Sequence, residues 1–420
     1  MACFKPFRAL RPDVKYAAEV AALPYDVMSS REARVMTEGK PLSFLHVDRA
    51  EIDLPEGTDL YSDEVYAKAA FNLKKLEEDG ILIGDKEACY YLYREIMDGR
   101  SQTGIVGCAS IDDYLSGVIK KHELTVAAKE ADRIRHVDEC NANTGIIFLT
   151  FRGCRDVEER MREITEKEMP LYDFVSEDGV RHTVWKAADE KDVRLFQEGF
   201  ASIECLYIAD GHHRAASAVR VGEKRRKEAG TYSGQEEFNF FLAAAFPASQ
   251  LSIWDYNRVV KDLNGMTEEE FLKKLEELFF VKPLPDPENQ DLSALKPAEK
   301  HCMTLYLGGK WYALTLRPGI ADEADPVKKL DVSILQEHVL TPLLGIKDPR
   351  TDARIAFVGG IRGLGELKKR VDEGAAAAFA MYPTSMEELM AIADADRIMP
   401  PKSTWFEPKL RSGLFIHALS

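Results

Sequence analysis

The chain has 420 residues, 45% apolar and 30% charged, with 27 glycines and 19 prolines; this is a globular composition that excludes a disordered or fibrous chain. At roughly 150 residues per domain the length predicts two or three domains. Acids outnumber bases 71 to 56, for a net charge of −15, which excludes a surface built for nucleic acid or anionic membrane but leaves room for a local cationic pocket.

In chain order, Tyr61 to Asp79 predicts an amphipathic helix with Val65, Ala69, Leu73 and Leu76 on one face and Gly80 as its stop. Ala88 to Tyr93 reads as a strand, Asp98-Gly99 as a turn and Thr103 to Ile111 as the returning strand. A helix over 126–140 and a buried strand over 145–151 follow. Tyr172 to Ala187 predicts a second hairpin, turning at Glu177-Asp178-Gly179, and Glu204 to Ala209 a strand that runs straight into a new helix. After about Leu263 the composition shifts: Pro283-Leu284-Pro285-Asp286-Pro287-Glu288 marks a predicted linker near 283–300. A hairpin over Cys302 to Leu316, helices near 332–340, 363–374 and 385–394, and a strand at Ala376 to Met381 complete the chain. The alternation predicts an α/β to α+β fold, with a mixed-sheet region over residues 1–263 and a C-terminal α+β module over 264–420 packed on it.

The apolar runs Gly145 to Phe151, Phe240 to Phe246 and Gly374 to Tyr382 fall far short of the ~20 residues needed to span a bilayer. Met1 to Arg8 lacks the apolar stretch of a secretory signal, so a cytoplasmic address is expected. Seven cysteines without a Cys-x-x-Cys pair argue against a disulfide framework or a zinc ribbon.

The segment richest in chemistry is Leu206 to Ala218. An apolar strand ends in Asp210, turns on Gly211, presents His212, His213 and Arg214 and enters an alanine-rich helix. That order puts unpaired N–H groups and the positive helix end at the tip, where an anion would sit. Gly211 permits close backbone approach, Arg214 offers a fork for phosphate oxygens, and the histidines can donate to phosphate, move protons or ligate a metal. Asp210 is placed to hold magnesium or to polarise a histidine. The plain alternative is a solvated tight turn.

Lys120-Lys121-His122-Glu123-Leu124-Thr125 and the charged helix after it, with Lys129, Asp132, Arg133 and His136, form a second cluster. It lacks the second histidine of a zincin helix, but Glu123 beside His122 suits a general base; the alternative is a solvated helix start capped by Thr125. Met399 to Gly413 carries Lys402, Lys409 and one more cation, Arg411, around a single acid in an otherwise acidic chain, so it either folds over an anion or is a Pro-locked tail docked through Trp405 and Phe406. Leu23-Pro24-Tyr25-Asp26-Val27 is a rigid segment that could aim Asp26 into a cleft. Gly359 to Gly365 matches neither a dinucleotide fingerprint nor a Walker A loop and reads as turn chemistry. The basic run Arg220 to Lys227 reads as a solvated helix face.

Taken together, Lys5-Pro6-Phe7-Arg8, Pro24 to Val27, His122 to Thr125, Lys129 with Asp132-Arg133, Asp210 to Arg214 and Met399 to Thr404 occur in an order that resembles the domain-of-unknown-function family 1015 over nearly the whole chain. That family is similar to the ParB and sulfiredoxin superfamily, in which a Gly-x-His-Arg-like turn binds nucleotide phosphates and which includes kinases of free serine. The resemblance implies a ParB/sulfiredoxin-like mixed-sheet core, with Gly211, His213 and Arg214 on the phosphates and Asp210 near a metal. His212 stands where sulfiredoxin has cysteine, so sulfinic acid reduction is not expected.

The expected activity is therefore a small-molecule kinase that moves phosphate from ATP or ADP, with Mg2+, to a small hydroxyl substrate, free L-serine being one candidate. Gly211, His212, His213 and Arg214 would bind the phosphates, Lys402 or Lys409 would compensate charge, Asp210 would bind magnesium, and Glu123 with His122, or else Asp26, would accept the hydroxyl proton. Two alternatives are a nucleotide-binding switch without catalysis and a metal-dependent hydrolase built on His122, Asp210, His212 and His213. No membrane or nucleic-acid partner is expected, and a homo-oligomer is left open.

Overall fold

The three longest apolar runs all become buried strands: Ile147–Phe151, Phe240–Pro247 and Ala377–Met381. A run without polar alternation is what a strand covered on both faces requires. The computed structural model describes residues 1–285 and 291–420, which divide into two units, one of Met1–Leu251 with Pro408–Ser420 and one of Ser252–Glu407.

The first unit is built on a mixed sheet. Its strands lie in the order Ile119–Lys120, Leu206–Asp210, Ile147–Phe151, Phe240–Pro247, Arg100–Ser110, Tyr90–Met97, Arg181–Ala187 and Tyr172–Val175, with Phe4–Lys5 also pairing Arg100–Ser110. Two pairings are parallel, 206–210 with 119–120 and 240–247 with 147–151, and the others are antiparallel. Helices Arg155–Lys167 and Glu190–Ser202 bury Val157, Met161, Ile164, Phe196 and Phe200 in the same core as Tyr90, Phe151 and Phe241. Helices Ala127–Cys140 and His212–Ala229 pack on each other. The tail Pro408–Ser420 is part of this core: Leu414, Phe415 and Ile416 are fully buried, Phe415 lies 4.9 Å from the Tyr91 ring, and His417–Ala418 pairs with Ala142–Asn143.

The second unit holds a fully antiparallel sheet in the order Phe279–Leu284, Lys310–Leu316, Cys302–Leu307, Ala377–Met381, Tyr256–Val260 and Ile355–Gly359. Helix Gly363–Asp372 seats Leu364 and Leu367 against Val259, Tyr306 and Trp311.

The α/β to α+β class holds, but the division of the chain differs from expectation. The units part at 251/252 and 407/408 rather than at 263. The reason is pairing: Tyr256–Val260 already bonds to Ile355–Gly359 and Ala377–Met381, so the chain has joined the second sheet before Leu263. Pro283, expected in a linker, sits in the edge strand Phe279–Leu284, where a missing N–H leaves the ladder intact. Asp286, Pro287 and Glu288 of that predicted linker lie outside the described residues. The helix expected near 332–340 is a short α-turn, Asp331–Leu335, continued by a wider π-turn, Gln336–Leu340. Among the described residues no helix is long and apolar enough to cross a membrane.

Candidate functional site

Leu206–Asp210 is apolar up to its last residue because it lies between two other strands. Its register with Ile147–Phe151 shifts between Ile208 and Asp210, so Ala209 is an extra, bulged residue. Such a bulge bends the strand and re-aims the side chain that follows, here Asp210. Gly211 then takes φ +91°, ψ +31°, in the left-handed region, and helix His212–Ala229 starts at once, with no side chain capping its first turn. The helix end therefore keeps its donor character.

Asp210 is held by cations. Lys409 donates from Nζ to Oδ2 at 3.1 Å, Arg214 Nη2 lies 3.9 Å from the same oxygen, and the Gly211 N–H donates to Oδ1 at 2.8 Å. Burial pushes the carboxyl up, but Lys409 and Arg214 outweigh it and hold it well below the usual carboxylate range.

Beside this turn stands the 120s segment, ninety residues earlier in sequence. The His122 and His212 rings meet edge to face at 4.4 Å, and the His122 N–H points at His212 Nε2 from 3.5 Å. With Nε2 as the acceptor, the proton of a neutral His212 sits on Nδ1, which lies 3.8 Å from Glu123 Oε2. Burial keeps both rings neutral, His122 being lowered to about 4 and His212 well below its ordinary value. The Ile208 carbonyl faces His122, yet neither ring nitrogen reaches a partner in hydrogen-bonding geometry. The Val126 N–H donates to His213 Nε2 at 3.0 Å and ties the 120s loop to the turn.

Arg214 turns inward. Its Nη1 donates to the Ile146 carbonyl, its Nε is buried without a partner, and Gly145 makes room for its stem, since a Cβ there would stand 3.1 Å from Arg214 Cδ. Burial works against its charge, but Asp26 and then Asp210 more than restore it. The space beside it, lined by Tyr25, Asp48, Arg133, His136 and Thr144, measures about 20 Å³, room for about one water and not for a phosphate. Arg133 stacks on Tyr25 at 4.1 Å and pairs with Asp132 at 2.9 Å, and Asp48 accepts from Thr144 at 2.7 Å.

A family model described as a protein of unknown function, DUF1015, matches residues 4–333. The chain is a DUF1015 protein. No curated protein matches it. Among solved structures, a variant of a free serine kinase in complex with AMP is 12% identical, with a TM-score of 0.35 over 78% of this chain and 93% of that one. A conserved hypothetical protein from Pyrococcus furiosus is 14% identical, with a TM-score of 0.33 over 74% and 94%. C-terminally truncated SbnI from Staphylococcus aureus is 12% identical, with a TM-score of 0.35 over 72% and 84%.

In this DUF1015 protein His122, Glu123, Asp210, Gly211, His212, His213, Arg214 and Lys409 share one locality, and Asp26, exposed at the end of its segment, acts on Arg214 through its charge. Lys402 belongs to the unit Ser252–Glu407, where its carbonyl accepts from Arg258 at 3.1 Å and its ammonium lies 5.7 Å from the centre of the Tyr256 ring. Asp48 and Thr144 were not singled out from sequence, because each acts through a contact with a residue far along the chain. Among the described residues no three His, Cys, Asp or Glu side chains converge as a metal centre, so the hydrolase built on His122, Asp210, His212 and His213 has no ligand set. Magnesium carried on phosphate oxygens and water asks less, about one carboxylate from the protein, and Asp210 is the carboxylate at the turn.

Proposed function

We propose that this protein is a small-molecule kinase that uses ATP or ADP to phosphorylate a small hydroxyl compound, free L-serine being the first acceptor to try. The observation that carries this is the tip itself: a left-handed glycine, an uncapped helix start, and Arg214 and Lys409 meeting on Asp210. Uncapped first-turn N–H groups and two cations match the demand of phosphoryl transfer, which needs positioning and charge neutralisation more than covalent chemistry. In this reading the phosphates lie on the N–H groups that follow Gly211, with the side chains of His213 and Lys409 beside them. Asp210 would hold magnesium, which neutralises phosphate charge. The acceptor oxygen bonds to the terminal phosphorus, the bridging P–O bond breaks, and ATP leaves as ADP or ADP as AMP. The hydroxyl proton passes to a carboxylate, Glu123 or Asp26. Neutral His122 and His212 order the base and do not themselves neutralise the phosphates.

A second reading, a nucleotide-binding switch without transfer, has one observation in its favour: Arg214 is spent on Ile146 and Asp210, with only a water-sized space beside it. Phosphate release to acceptors, measured with ATP and with ADP in the presence of magnesium, separates the two. Transfer by the wild type, with Lys409→Met lowering kcat by about 10²-fold, supports the kinase. Calorimetric nucleotide binding without turnover across a panel of hydroxyl compounds selects the switch, and no nucleotide binding at all removes both.

A further inference from the structure

A cavity of about 540 Å³ in the first unit takes no part in the turn described above. Its size falls in the range of about 300–1,000 Å³ usual for small-molecule sites. Its lining is apolar at Ala18, Ala22, Leu23, Met36, Leu42 and Leu45 and polar at Ser176, Glu177 and Asp178 of the hairpin tip and at Arg411.

Arg411 is a built-in donor. It is only 4% exposed, with Nε donating to His182 Nε2 at 3.2 Å and Nη2 donating to Ser176 Oγ at 3.1 Å and to Asp178. Its Nη1 makes no hydrogen bond and, unlike Arg214 Nε, is not sealed from solvent. Arg411 lines the cavity, and Nη1 is the guanidinium nitrogen left for a ligand. His182, which fixes the other side, is kept neutral by its burial and then by Arg411, and Tyr93 holds its Nδ1 at 2.7 Å. At the mouth Lys40 pairs with Glu177 at 2.6 Å. The cations Lys40 and Arg411 are thus opposed by Glu19, Glu177 and Asp178, so the lining favours a ligand that carries both signs of charge over a simple anion.

Two short chain segments link the cavity lining to residues of the candidate site. Arg411 follows Lys409 by two residues, which limits their Cα separation to about 7 Å, and Leu23 precedes Asp26 by three, a limit of about 11 Å. We propose that this cavity binds a zwitterion with an apolar body, of dipeptide size, its carboxylate on Arg411 Nη1 and its ammonium on the acidic side. Resting on the kinase reading, it is the pocket of the hydroxyl acceptor, which makes the acceptor larger than free serine.

Calorimetry with the full-length protein and no nucleotide tests the pocket directly, with L-seryl-L-leucine and free L-serine as the probes. The dipeptide should bind about tenfold or more tightly than serine. Ala18→Trp, at the exposed rim, should weaken the dipeptide by about the same factor and leave nucleotide affinity unchanged. Dipeptide binding that is no tighter than that of serine, or that survives Ala18→Trp in a folded variant, overturns the proposal. Dipeptide binding without any nucleotide binding ends the kinase reading and keeps the pocket. Turnover of other acceptors without dipeptide binding does the reverse.

Discussion

At the scale of the residue, the candidate site depends on one backbone conformation and one buried imidazole. An alanine at position 211 would be forced into the left-handed region and would also bring its Cβ to 3.1 Å from Arg214 Cζ and Nε. Gly39 has φ +70° with nothing within 4 Å of such a Cβ, so Gly39→Ala measures conformational strain alone. In urea unfolding Gly39→Ala should cost about 1–2 kcal/mol and Gly211→Ala more than that; equal losses would mean that Arg214 yields freely. Gly211→Ala should also weaken nucleotide binding, which Gly39→Ala should not. His122 gives a pH signature. Its folded value of about 4 lies below the ordinary 6.5, so between those two pH values the unfolded chain takes up a proton that the folded chain refuses. The stability due to neutral His122 is complete above pH 6.5 and is lost as pH falls toward 4. Urea midpoints across that window should slope less steeply in His122→Phe than in the wild type, by up to about 1.4 kcal/mol per pH unit. An unchanged slope would show that His122 is charged in the folded state. Arg214→Ala is a poorer probe of binding, because it strands the Ile146 carbonyl and half-neutralised Asp210 together with any loss of phosphate contact.

At the scale of the element, much was legible because it is local. The helix Asp63–Glu78, the hairpin at Asp98-Gly99 and the strand Leu206–Asp210 running into helix His212–Ala229 follow from periodicity, turn residues and a glycine stop, each within a few residues of its sequence signal. Two features were not legible. The bulge at Ala209 is a property of the pairing with Ile147–Phe151, and no residue in Leu206 to Asp210 announces it. The edge position of Phe279–Leu284 is what lets Pro283 sit in a strand, and a Pro-rich acidic stretch read alone signals a linker. The candidate site divides in the same way. Asp210 to Arg214 announces itself as a turn, whereas the inward course of Arg214 depends on Gly145 and Ile146, and the spare donor of Arg411 on Ser176, Asp178 and His182. Lys402 and Lys409 look equivalent in sequence, seven residues apart, yet the boundary at 407/408 puts them in different units.

At the scale of the molecule, the first unit is discontinuous and the second is not. Leu414, Phe415 and Ile416 are each fully buried, and burying one such side chain contributes about 1.5–3 kcal/mol, so the three together rival a stability of about 5–15 kcal/mol. A chain stopped after Glu407 should leave the first unit unfolded and the second intact. Limited proteolysis should then yield a resistant fragment close to Ser252–Glu407, and thermal unfolding should lose one cooperative transition; two intact transitions would show that the tail is dispensable. The same arrangement sets a timetable for birth. A ribosome lays down about 5–20 residues per second and early domains commonly close first, but here the half that is translated first needs the strip that leaves the exit tunnel after every other part of both halves. The later-made insert owns all of its strands sooner, so the nascent amino-terminal portion must be kept from sticking to its neighbours until its missing wedge arrives.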